Sequence, residues 1–217
     1  MSAVSETIVR EYFELHEFVV RQHRKYIGQT RAEEDDDIDF FVLNPNPKPR
    51  PAEFPFVLDA AALTFVERAI VVVKGWHSET FSSAVLEHSP EIFRFVEPKV
   101  FQQAARAFGK DGALLKILVV PALPQTARAR EESIALLRTK GVDAVIPFRT
   151  MLTELINETE ANRNYQKSDL LQIIRILKSY DLLKGQQLEL FKSKSGARKS
   201  ARRGARPKSQ TSEQEKT

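Results

Sequence analysis

The chain has 217 residues, 42% of them hydrophobic, with 33 Lys and Arg against 29 Asp and Glu and no cysteine. That is enough apolar material for a core without staples. The missing cysteines exclude disulfides, thiolate metal sites and a cysteine nucleophile. The net charge of +4 is unevenly spread: residues 192–217 hold nine Lys/Arg and two Glu, net +7, which leaves −3 on residues 1–191.

In chain order, residues 5–26 read as a helix, because Ile8, Val9, Tyr12, Phe13, Leu15, Phe18 and Val19 recur at three-to-four spacing on one face. An acidic loop follows, Glu33-Glu34-Asp35-Asp36-Asp37. Residues 38–43 then read as a short strand stopped by Asn44-Pro45-Asn46-Pro47. The proline-punctuated residues 44–64 read as a long loop with a short strand near 54–58. Residues 68–74 form a second strand, β-branched and apolar on both faces as a central strand is, and Gly75 breaks it. Helices are expected at 78–87 and 90–108, and a third strand at 114–120, closed by Pro121.

The spacing next predicts a helix over 125–140 with Gly141 at its C-terminal cap, a fourth strand at 142–148, and a helix from about 150 to 160. A last helix is expected from Ser168, a good N-cap, to about residue 183, with Gly185 beyond its end. The third and fourth strands flank a helix, a βαβ unit that implies parallel pairing; the first two strands can pair antiparallel. The fold expected over residues 1–191 is therefore α/β, a mixed central sheet of about four strands flanked by helices. From Lys192 onward Ser, Gly, Ala, Lys and Arg replace the apolar residues, so this tail is expected to be disordered. The longest purely apolar run, residues 69–73, is far short of the ~20 residues of a membrane helix. Residues 1–10 lack the apolar stretch of a signal peptide. A soluble, cytoplasmic protein is the expectation.

Chemistry concentrates where the first two strands meet. Lys74 ends a buried apolar strand, and an ammonium there needs water or a partner. Either it snorkels from the strand's mouth, or it faces a polar cleft and stabilises phosphate charge. Asp39, flanked by Ile38 and Phe40, is either the end of a solvated acidic loop or a hard oxygen ligand for a divalent cation. The chain's glycines are isolated, with no phosphate-binding fingerprint among them.

These residues, with the initial helix carrying Glu11 and Glu14 and the β-α-β stretch ending in Gly141-Val142-Asp143-Ala144-Val145-Ile146-Pro147-Phe148, resemble the PD-(D/E)XK nuclease superfamily over about residues 5–150. The resemblance implies a restriction-endonuclease-like fold and hydrolysis of phosphodiesters, usually in DNA, with Mg2+ or Mn2+. By it Asp39 is a metal ligand, Lys74 orients water or stabilises the transition state, and Glu11 or Glu14 matches a helix-borne acid. The position two before Lys74, acidic in that family, is Val72 here. Glu79, just past the strand, or Glu67, at its other end, is the candidate replacement; otherwise the fold serves binding alone. The site so implied is Asp39 and Lys74 for catalysis, with Asp39, Glu79 and Glu14 on the metal.

The tail offers Lys192, Lys194, Arg198, Lys199, Arg202, Arg203, Arg206 and Lys208 to a nucleic acid backbone, with no aromatic residue between them to read bases. A solubilising tail is the alternative. The rival to a nuclease is a catalytically inactive interaction module on the same fold, docking a protein through the C-terminal helix. An apolar exposed face on residues 170–177 is its signature.

Overall fold

The computed structural model describes residues 3–22, 38–108 and 113–183, all within one compact unit, Met1–Gly185. The acidic residues 33–37 and the basic tail lie outside the described residues.

The frame is a five-stranded sheet whose spatial order repeats the chain order. Its strands are β1 (Val19–Gln22), β2 (Phe40–Leu43), β3 (Arg68–Val73), β4 (Leu114–Val120) and β5 (Ala144–Pro147). β1, β2 and β3 pair antiparallel; β3, β4 and β5 pair parallel. The mixed sheet, the antiparallel pair β2–β3 and the parallel pair β4–β5 match the sequence expectation. The strand count does not, since β1 is additional.

β1 lies in residues expected to continue the first helix. That helix, α1 (Ala3–Leu15), ends because Glu17 adopts a left-handed conformation, φ 63°. The Glu17 N–H donates to Glu14 O and the Phe18 N–H to Phe13 O, each at 3.0 Å, the paired bonds that close a helix C-terminus. Phe18 then packs edge-on against Phe13, ring centroids 5.3 Å apart. An apolar residue at helical spacing here staples a turn.

Helices cover both faces. On one, Phe40, Val42, Val71, Val73, Ile117, Val119 and Ile146 pack against Val9, Tyr12 and Phe13 of α1, Met151 and Leu155 of α6 (Phe148–Glu158), and Ile174 of α7 (Asp169–Ser179). On the other, Phe41, Ile70, Val72, Leu118, Val120 and Val145 meet Leu86 of α3 (Ser83–His88), Ile92 and Phe95 of a 3-10 turn (Pro90–Val96), Ala104 of α4 (Pro98–Phe108) and Leu137 of α5 (Ala127–Thr139). A further short helix, α2 (Ala60–Leu63), is capped by the Asp59 side chain. Every residue of β3 is buried, and each such aliphatic side chain contributes about 1.5–3 kcal/mol.

The helix expected at 78–87 starts later, at the Ser82 cap. The one expected at 90–108 is split, because Pro98 forces Glu97 into extended backbone, ψ 138°. Gly141 closes α5 at φ 91° as expected. The segment near 54–58 contributes one parallel bridge, Val57 to Val145. α7 stops at Ser179, short of residue 183, where Asp181 turns left-handed (φ 55°) and the Leu182 N–H returns to Leu177 O. No described helix is long and apolar enough to cross a membrane.

Candidate functional site

Phe40 pairs with Val71 in the β2–β3 register, so Asp39 stands opposite Val72 and at the same sheet end as Lys74. The two residues singled out from sequence thus share one end of adjacent strands. Asp39, however, is built into the ladder: its N–H donates to Val71 O (3.1 Å) and its Oδ2 accepts the Val73 N–H at 2.7 Å. The Lys74 N–H extends the parallel ladder by donating to Val119 O. Val72 is 1% exposed and packs among Ile70, Phe41 and Leu118.

Of the candidate second acids, Glu14 and Glu67 do not gather there. Ser5, near the start of α1, touches the segment after β3, with its Oγ 3.0 Å from His77 Nε2. Glu14 lies nine residues further on, about 13 Å along the axis, and leads toward Val19, which pairs with Leu43 beside Arg68. Glu14 is thus at the opposite end of the sheet from Lys74, which removes it from the ligand set. Its carboxyl is raised above the ordinary range by partial burial and by the Glu11 carboxylate, against the opposing pull of Arg10. Glu11 is buried beside Arg10, 3.7 Å away. Glu67 precedes Arg68 and pairs with it at 3.5 Å, again at the far end. Glu79 is exposed in the turn after β3, its N–H donating to Trp76 O at 2.8 Å.

The described residues beside Lys74 do not make up a divalent-cation site. Among the described residues no group of three or more His, Asp or Glu is placed to hold a metal. Among the described residues the acid at that end of the sheet, Asp39, shares an oxygen with the backbone, and the position where the resemblance implies a second carboxylate is a buried valine. The eight cationic residues named in the tail lie outside the described residues.

Other residues converge beyond β3, around the Glu79 that the sequence singles out as a metal ligand. A Cβ on Gly75 would stand 2.7 Å from Ser5 Oγ, so glycine is what lets α1 sit against the strand's exit. His77 packs edge-on against Phe148, centroids 4.6 Å apart. Trp76 packs against Phe81 at 5.7 Å and with Ser78, Glu79, Val85, His88 and Ser89 lines an open pocket of about 500 Å3. The available signal was the position: the chain's one tryptophan sits directly past a central strand, at the carboxyl end where open α/β sheets bind ligands.

Comparison with protein families, curated proteins and solved structures finds no match. Function therefore rests on the chain's own chemistry.

Proposed function

We propose that this chain is a nucleic-acid-binding module on a nuclease-like α/β scaffold without phosphodiester hydrolysis. A first helix, Asp39 at the entry of β2, Lys74 at the exit of β3, then helices and a βαβ unit support the scaffold, with β1 inserted after the helix. The observation that carries the loss of hydrolysis is Val72: its side chain is part of the apolar layer under α3 and α5, where a carboxylate would be desolvated at a cost of several kcal/mol. Affinity comes from the nine Lys and Arg of residues 192–217, which neutralise phosphates and release counterions. The test incubates the full-length protein with single-stranded, duplex and nicked DNA in Mg2+ or Mn2+. Binding without cleavage is expected. Metal-dependent cleavage abolished by Asp39→Asn and Lys74→Ala would overturn the reading.

A second reading, a module docking a protein, is favoured by α7. Ile173, Ile176 and Tyr180 recur on one face at 55%, 42% and 74% exposure, and Leu182 beyond the helix is 69% exposed, which leaves large apolar side chains for a partner to cover. Replacing Ile173 and Ile176 by Ser should leave stability within about 0.5 kcal/mol and remove any protein that co-purifies at high salt. Retention of the same protein by the double variant counts against the docking role.

A further inference from the structure

The pocket beyond β3 brings an aromatic face and hydrogen-bonding groups together at the end of the sheet that open α/β folds use for ligands. Trp76 is half-buried and braced by Phe81. The Glu79 N–H to Trp76 O bond closes the turn between them, so indole and carboxylate are presented by one fixed loop. His88 Nδ1 lies 2.7 Å from Ala84 O. A carbonyl only accepts, so Nδ1 carries the proton, and Nε2 of the neutral ring is an acceptor. The lining thus combines a stacking face, the apolar Val85, two acceptors (Glu79 carboxylate and His88 Nε2) and the hydroxyls of Ser78 and Ser89. At about 500 Å3 it lies in the range of small-molecule sites.

We infer that this pocket takes one unstacked base of a single-stranded nucleic acid, and that it favours the amino-bearing bases over thymine. Aromatic faces stack any base. Selection comes from Glu79 and His88: an exocyclic amino group stands out from the ring and donates to them, whereas thymine's one donor, N3–H, is flanked by two carbonyl oxygens that repel the carboxylate. Glu79 also turns away phosphate, which leaves the backbone to the cationic tail and divides base contact from phosphate contact. The inference deepens the nucleic-acid reading and rests on it.

Trp76 is the chain's sole tryptophan, so its emission reports this pocket in the intact protein. Fluorescein-labelled oligo(dC), oligo(dT) and an abasic strand of equal length are titrated into the full-length chain, following label anisotropy and tryptophan emission together. All three strands should raise the anisotropy. Oligo(dC) should quench Trp76 at concentrations roughly tenfold below those oligo(dT) needs, and the abasic strand should leave emission unchanged. Glu79→Gln should shrink the dC-over-dT preference to about twofold while quenching persists. If anisotropy rises and Trp76 stays silent, or responds equally to the abasic strand, the pocket is not a base site and the tail alone binds. If no strand raises the anisotropy, the nucleic-acid reading fails with it.

Discussion

The Val73 N–H points toward β2, and Asp39 Oδ2 accepts it at 2.7 Å. A side chain expected as a free ligand therefore completes the sheet. Asp39→Ala should cost about 1–3 kcal/mol in urea unfolding, because a half-buried donor loses its acceptor, while Asp39→Asn, which keeps an oxygen there, should cost less. Equal, negligible losses would return Asp39 to the role of solvent-facing ligand. Glu14 carries the opposite sign. Its folded pKa is raised by partial burial first and the Glu11 charge second, so the ionised form is disfavoured in the fold. The stability associated with the raised pKa is fully present below the unfolded pKa and is lost as pH rises through the folded one. Glu14→Gln should therefore raise Tm at pH 7 and leave it unchanged at acid pH below both values, where the wild-type carboxyl is already neutral.

At the scale of elements, the left-handed turns decide where helices end, and only one of three uses glycine. Gly141 was legible as a cap because glycine announces it; Glu17 and Asp181, at φ 63° and 55°, carry no such mark, so both helices were expected to run several residues too far. Phe18 shows why periodicity could not separate the cases: a residue stapling the turn and a residue continuing the helix face occupy the same spacing. Glu17→Gly should raise stability by about 1 kcal/mol, since glycine adopts this conformation without the side-chain penalty; a loss in thermal unfolding would show that Glu17 makes a contact outweighing its strain. β3 and β4 were legible almost to the residue, because a strand buried on both faces is a bare apolar run between breakers. The candidate site was legible only in part. Asp39 and Lys74 do fall at the same end of the sheet, but which end Glu14 occupies depends on the direction in which α1 returns, which a linear pattern does not encode.

For the whole molecule, charge separates along the chain rather than over the folded surface: −3 on residues 1–191 and +7 on residues 192–217. Binding driven by that tail should fall steeply with salt. Deleting residues 192–217 should weaken DNA affinity at low salt and flatten the plot of log affinity against log salt by a slope of several units, each phosphate contact accounting for about 0.7–0.9. A slope unchanged by the deletion would assign phosphate contact to the folded part.

The strand order has a consequence for how the molecule is made. Because every strand lies beside the one that precedes it in the chain, the sheet can be laid down row by row as the polypeptide leaves the ribosome, α1 and β1 first. No strand has to wait for a later one to fill a gap between it and its neighbour, so no half-built intermediate holds a vacant slot in mid-sheet. The exception is the bridge from Val57 to Val145. An early segment there must stay unmatched until β5 arrives, and its pairing would be a late stitch along the edge of β5.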